Sequence, residues 1–336
     1  MLNHTPLATA LALAFAIPYA TPALAQSAPQ SASQPAASSA PQNAQTNAQN
    51  NAPAAAQTLP TIGVQAQTVQ QDFQAERATV GAKTPTALRD IPQTVTVINR
   101  DLLASQGATS FTDALRNAPG VTIGAAEGGQ IGNNINLRGF TAQNDIYLDG
   151  FRDRNQYYRD TFDLEALEVL YGPSSMLFGR GSTGGVINQV SKKANLTDSA
   201  EVSGMIGTND RYRSTVDVNH KLTDTSAIRL NAFGQSLGST RDVMKNKDFG
   251  VAPELRFGIG TPTEITLSAL IQRNNDMPDY GIQALNGRPS PVPKNTFYGL
   301  TSDRTIQNVQ IFTGAIKHKF SDDLTLTNQT QISRTR

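Results

Sequence analysis

The 336-residue sequence contains no cysteine, which excludes disulfides, thiolate metal sites and a cysteine nucleophile. Charged side chains are scarce: they make up 16% of the chain, against about 25% in an average soluble domain. The net charge is only +1, so bulk charge gives no reason to expect a nucleic-acid partner. The three histidines, His4, His220 and His318, are too scattered to build a metal site. No Ser/His/Asp set stands at a recognisable nucleophile elbow, and no enzyme is read from the sequence. Beyond the N-terminus there is also no run of about 18 apolar residues, so no helix is expected to span a membrane.

What is present changes character four times along the chain. Leu7 to Ile17 form a short apolar core, and Ala23-Leu24-Ala25 places small residues where a signal peptidase reads them. Residues 1–25 therefore read as an export signal cleaved before Gln26. Residues 26–58 hold only Gln, Ser, Ala, Pro, Asn and Thr; with no hydrophobic period they cannot bury a core, and a disordered linker is expected. Leu59-Pro-Thr-Ile-Gly-Val-Gln65 is then a lone β-prone segment. Such a segment gains a ladder by pairing with the sheet edge of another protein, or of its own chain.

From 84 to 195 the composition is that of a compact α+β domain. Gln93 to Ile98 alternates as a strand, and Ser110 to Asn117 reads as a short helix capped by Ser110, with Phe111, Ala114 and Leu115 on one face. Asn134–Leu137, Asp145–Leu148, Leu167–Leu170 and Gly185–Ser191 read as short strands. Gly179-Arg-Gly-Ser-Thr-Gly184 fits the dinucleotide pattern G-x-G-x-x-G letter by letter. A strand rather than a helix follows it, which argues against nucleotide binding.

From 196 to 336 seven strand-length segments alternate apolar and polar residues: near 200–207, 212–222, 228–235, 251–259, 264–272, 306–320 and 324–335. In the second, Tyr212, Val216, Val218 and Leu222 share one face and Arg213, Asp217, Asn219 and Lys221 the other. Connections 222–225, 260–263 and 320–323 are tight. The alternate ones are 207–211, then 236–250, then the longest, 274–304. Loops sorted by parity are expected of a transmembrane β-barrel, with short turns on one side and long loops on the other. A soluble sandwich has no reason to sort them.

Five motifs then carry a resemblance: Asp90-Ile-Pro-Gln-Thr-Val-Thr-Val-Ile98, Asp113-Ala-Leu-Arg-Asn-Ala-Pro-Gly-Val121, Asn136-Leu-Arg-Gly-Phe140, Tyr147-Leu-Asp-Gly150 and Val169-Leu-Tyr-Gly-Pro-Ser-Ser-Met-Leu-Phe-Gly-Arg-Gly-Ser-Thr-Gly-Gly-Val-Ile-Asn188. In order and spacing this stretch resembles the plug of TonB-dependent siderophore receptors, and the wording of Asn155-Gln-Tyr-Tyr-Arg-Asp160 and Phe178-Gly-Arg-Gly-Ser-Thr183 resembles the catecholate subgroup. The resemblance implies an α+β plug inside an outer-membrane barrel of about 22 strands, of which residues 196–336 would supply the first seven. It implies energised import of an Fe(III)–siderophore, no permanently bound cofactor, and as partners TonB with its ExbB-ExbD motor, the siderophore and outer-membrane lipid. Residues 59–65 stand where the TonB box belongs, with Thr61, Ile62, Gly63 and Val64 matching its form. The plug's outward loops follow Val121, Arg138-Gly139-Phe140 and Asp149-Gly150. Gln143 lies in the second of them; Arg152, Arg154, Tyr157, Tyr158 and Arg159 cluster in the third. Guanidinium and phenol groups suit an anionic, flat-ringed ferric catecholate, and the same groups can instead pair with Asp153, Asp160 or lumen residues. Arg138 and Arg180 are read as anchors of the plug to the barrel wall. Alternatives are a porter for haem, cobalamin or a saccharide, or a non-functional remnant, since seven strands leave an unpaired edge in lipid. A signalling receptor would need a further folded domain ahead of residue 59.

Overall fold

The computed structural model describes residues 73–124 and 134–336. The expected export signal, the expected linker and the segment bearing Thr61, Ile62, Gly63 and Val64 lie outside the described residues.

The chain opens on a small antiparallel pair, β1 (Arg77–Ala78) with β2 (Thr86–Ala87), followed by β3 (Val95–Asn99). Two short helices come next, α1 (Arg100–Ser105) and α2 (Phe111–Leu115). Both start on a capping side chain: Asn99 accepts from Leu102 N and Ser110 from Asp113 N, supplying partners for backbone donors that a first turn leaves orphaned. Phe111, Ala114 and Leu115 are buried, the helix face expected from their spacing. Strands β4 (Val121–Ile123), β5 (Ile135–Leu137) and β6 (Phe140–Thr141) form a three-stranded sheet. Then follow β7 (Ile146–Leu148), β8 (Phe151–Arg152), β9 (Leu164–Tyr171), the single turn α3 (Ser175–Phe178) and β10 (Gly185–Ser191).

Strands β3, β9, β10, β7 and β8 make a five-stranded sheet in that order, antiparallel except for β10 beside β7. Both of its faces are covered. One packs on Phe111, Leu115, Ile135 and Leu137; the other on Val80, Ile91 and Phe178. That double burial is why Leu167-Glu-Val-Leu170 reads as an almost unbroken apolar run. Its one charge, Glu168, is buried yet satisfied: Thr79 N donates to Oε1 at 2.8 Å, and Thr79 Oγ1 and Val80 N donate to Oε2 at 2.7 and 2.8 Å. The turn before β10 is built on close backbone approach. A Cβ on Gly184 would overlap the Leu137 carbonyl oxygen and one on Gly185 the Leu170 carbonyl oxygen, and Gly185 also has a φ of 135°, so glycine is required there for tight packing rather than for a phosphate.

The remainder is a seven-stranded antiparallel meander: β11 (Ser199–Gly207), β12 (Arg211–Thr223), β13 (Ser226–Gly238), β14 (Lys245–Phe257), β15 (Thr263–Asp276), β18 (Thr305–Lys319) and β19 (Thr325–Thr335). A two-stranded hairpin, β16 (Ala284–Leu285) with β17 (Arg288–Pro289), sits in the loop after β15. The loop parity holds. Turns 224–225, 258–262 and 320–324 are at one end, and 208–210, 239–244 and 277–304 at the other. Strands β13, β14 and β15 run further than the apolar alternation suggests, which shortens the loop expected at 236–250.

The sheet is inside-out relative to a soluble protein. Its apolar face is open, with Val202 75% and Ile206 83% exposed and Tyr212, Leu267, Phe312 and Ile316 about half exposed. Its polar face is buried: Arg213, Asp217, Asn219, Arg229, Asn231 and Glu254 all turn inward. In water this would waste the hydrophobic driving force; between lipid and a polar interior it is the stable arrangement. Among the described residues no helix is long and apolar enough to cross a membrane.

Candidate functional site

The inward polar residues grip the α+β domain. Lys192 Nζ lies 2.9 Å from Asp217 Oδ2, Ala194 N donates to Glu254 Oε1 at 2.9 Å, and Arg229 Nη1 donates to Lys193 O at 3.0 Å. Higher on the wall, Arg213 holds Asp160 through two bonds of 2.7 and 2.6 Å. Gln307 Oε1 accepts from Tyr158 N, Gln307 Nε2 donates to Gln156 O, and Gln272 Nε2 donates to Tyr158 O. A small apolar seam, Leu148, Phe162, Phe233, Leu270 and Ile311, fills the space between these contacts. The interface is therefore mostly directional hydrogen bonds and ion pairs, which separate at lower cost in a wet lumen than an apolar core does.

The Arg/Tyr-rich segment after β8 divides into interior and surface residues. Asp153 is buried and takes most of the polar groups around it: Tyr157 Oη donates to its Oδ2 at 2.9 Å, and Arg159 Nε and Nη2 donate to it at 3.0 and 2.7 Å. The Arg159 guanidinium also lies 4.2 Å from the Tyr157 ring centre. Tyr157 and Arg159 are thus buried and paired with Asp153, with only 2% of Tyr157 exposed, while Arg159 also lines a cleft beside Tyr158. Burial first, then Asp153, holds the Tyr157 phenol well above its usual range, so it stays a donor.

Two clefts flank this segment. The first, about 820 Å³, opens at the loop end of the wall between Tyr158, Asp160 and the β4–β5 ends on one side and Asp248, Asn274 and Asp276 on the other. Burial, and then Asp276 and Asp248, raise the Tyr158 phenol as well. The second, about 590 Å³, is lined by Phe140, Asp145, Arg152, Arg154, Arg180 and Ser182. Arg152 is largely engaged there: Nε donates to Tyr147 Oη at 2.9 Å, and Nη2 to Phe178 O and Arg180 O at 3.0 and 2.6 Å. Arg154 and Arg180 are exposed. Gln143 is half-buried and lines neither cleft. Arg138 stacks over Tyr171, 4.9 Å from the ring centre, inside the α+β domain. Neither it nor Arg180 reaches a described wall strand.

Asp248 and Asp276 are legible in the sequence only indirectly. Both lie at the ends of strands, where Lys245-Asn-Lys-Asp248 and Arg273-Asn-Asn-Asp276 carry no apolar alternation and read as loop. The usable signal was parity: counted from Glu254 and Gln272, both residues fall on the inward face.

The TonB-dependent Receptor Plug Domain model matches residues 87–186. The catecholate siderophore receptor Fiu of Escherichia coli K12 is 34% identical over 296 residues, covering 82% of this chain and 38% of Fiu. The crystal structure of the siderophore receptor PiuA from Acinetobacter baumannii superposes with a TM-score of 0.73 at 31% identity, over 79% of this chain and 39% of that one. The closed form of the ferric-catecholate import receptor Fiu gives 0.71 at 34%, over 78% and 39%. The chain thus spans well under half the length of the relatives it matches.

Proposed function

The chain belongs to the TonB-dependent siderophore receptors, and from that premise we propose that it binds ferric siderophores at the outer membrane and imports them when its plug is displaced. The observation that carries this reading is the inverted wall: an apolar outer face and a polar inner face that clamps an α+β plug through Asp217, Glu254, Arg213 and Gln307. A chelated iron complex needs a wide passage, and a wide barrel must be plugged. The outer membrane has no ATP, so the force to open it comes from TonB and the ExbB-ExbD motor, acting on residues 59–65 through Thr61, Ile62, Gly63 and Val64.

The protein acts as a carrier rather than a catalyst, with no permanent cofactor and with iron as cargo. The ligand is a ferric catecholate, in keeping with the substrate named for Fiu. Arg154 and Arg180 offer it exposed guanidinium charge, with Arg152 behind them, and Tyr158 an aromatic face. Tyr157 and Arg159 shape the loop from within, and Gln143 stands on the neighbouring loop.

A binding titration on the full-length gene product, purified from outer membranes, tests this. A ferric tris-catecholate is expected to bind at about micromolar Kd or tighter, with haem and cyanocobalamin showing no saturable binding. Saturable haem or cobalamin binding without ferric catecholate binding would overturn the assignment.

A further inference from the structure

We propose that Glu168 is a mechanical catch. It fixes residues 77–91 as a strap across the plug and sets the pull at which that strap lets go. Left unpaired by the release, it then weakens the strand beside it. This rests on the reading above that the pull enters through residues 59–65, and it adds the residue at which the plug first yields.

Among the described residues the strap is the first paired structure that such a pull reaches. In it Arg77 pairs with Ala87 and Ala78 with Thr86, and Leu88 N donates to Glu76 O at 3.0 Å. The incoming chain at Glu76 thus lies beside Leu88, where β2 leaves for the rest of the plug. A pull on Glu76 parts the hairpin from this open end, one pair at a time, so each backbone bond resists alone. The next two residues are held differently. Thr79 N, Thr79 Oγ1 and Val80 N all donate to the Glu168 carboxylate on β9, and these three bonds must fail together. Val80 is also fully buried, packed with Ala78 and Ile91 against Tyr147, Leu170 and Phe178.

Glu168 is 3% exposed, and its one further donor is Asn188 Nδ2 at 3.2 Å. No described cation forms an ion pair with it. Three of its four donors therefore leave with the strap. A buried carboxylate left to a single amide is costly, and it draws water into β9. The register partner of Glu168 on the other side is Val97 of β3. Strand β3 lies at the edge of the five-stranded sheet and is where the pull falls next. Release of the strap thus loosens the attachment that must yield after it. The plug is held firmly until the catch fails, and then opens in order, strap before β3.

The test is single-molecule pulling at constant force on the full-length receptor in a lipid bilayer, with the handle attached through Gln65→Cys. Two lifetimes are read: that of the strap and that of β3 once the strap has gone. Thr79→Val keeps the side-chain shape and removes one donor to a charged group. It should shorten the first lifetime about tenfold and leave the second unchanged. Glu168→Gln should shorten the first at least as much and lengthen the second, because no charge is stranded when the strap leaves. A residue that merely stabilises the fold would shorten both. An unchanged first lifetime in Thr79→Val, or a second lifetime in Glu168→Gln that does not lengthen, would overturn the catch. Where Glu168→Gln does not fold, the Thr79→Val lifetimes decide the matter. The instrument supplies the pull, so this outcome is separate from whether TonB engages residues 59–65, which uptake in cells reports.

Discussion

Asp163 shows how a single side chain at the plug–wall boundary carries pH dependence. It is buried beside a cavity of about 30 Å³ shared with Lys192, Glu254 and Ile311. Burial first, then the charges of Asp160 and Asp149, push its carboxyl up to about 7, against the opposing pull of Lys192. The folded protein therefore holds this proton more tightly than the unfolded chain does. The associated stability is fully present below about pH 4 and is lost as pH rises through about 7, on the order of a few kcal/mol. Hydrogen exchange of the β10 amides at pH 5.5 and pH 8 should show weaker protection at the higher pH. Asp163→Asn, uncharged at both, should flatten the difference; an unaltered pH response in that variant would contradict it. The Arg/Tyr loop yields a paired test. Asp153→Ala removes the carboxylate that neutralises the buried Arg159 guanidinium and should cost about 3–5 kcal/mol of plug stability. Arg154→Ala, at an exposed position, should leave denaturation unchanged and weaken ferric catecholate binding several-fold. The opposite pattern would reverse the division into interior and ligand-facing residues.

At the scale of elements, local rules written in the sequence were obeyed where the chain is repetitive or capped. Helix α2 starts at the Ser110 cap, and Ser110→Ala should lower plug stability by about 1 kcal/mol in a denaturant titration. The segment Gly185–Ser191 is a strand over the same residues the sequence marks, and it follows the literal G-x-G-x-x-G without a helix. Its preceding glycines serve packing. Gly184→Ala, whose methyl would meet the Leu137 carbonyl, should destabilise the plug by about 1–3 kcal/mol, read by the same titration. Other features were illegible for physical reasons. The ends of β14 and β15 face a polar interior, so no apolar alternation marks them, and Asp248 and Asp276 read as loop residues. Nothing local distinguishes Glu168 from a surface glutamate; its burial is decided by Thr79 and Val80, some 90 residues away. That Asp153 takes Tyr157 and Arg159 as hydrogen-bond partners is likewise a tertiary choice among groups the sequence merely places close together.

At the scale of the whole molecule, the wall's two faces predict opposite tolerance to charge. Leu267→Arg on the outer face should cost about 2–4 kcal/mol of membrane-inserted stability at mid-depth. Thr313→Arg on the inner face, toward the plug–wall cavity, should instead disturb plug seating without blocking insertion. Heat-modifiable mobility of the extracted protein distinguishes the two. The polar clamp between wall and plug also explains how an interior can be well packed and still be movable. Ion pairs such as Lys192–Asp217 and Arg213–Asp160 can exchange partners with water as the plug shifts, where an apolar core would resist.

The central claim is energised import through a plug held in a membrane wall. Its most direct test is accumulation of radioiron, presented as a ferric catecholate, by cells whose sole receptor for it is this protein in full length. Accumulation should require both TonB and residues 59–65, while iron bound at the cell surface stays the same when either is removed. Accumulation that persists without TonB, or in the 59–65 deletion, would contradict the account.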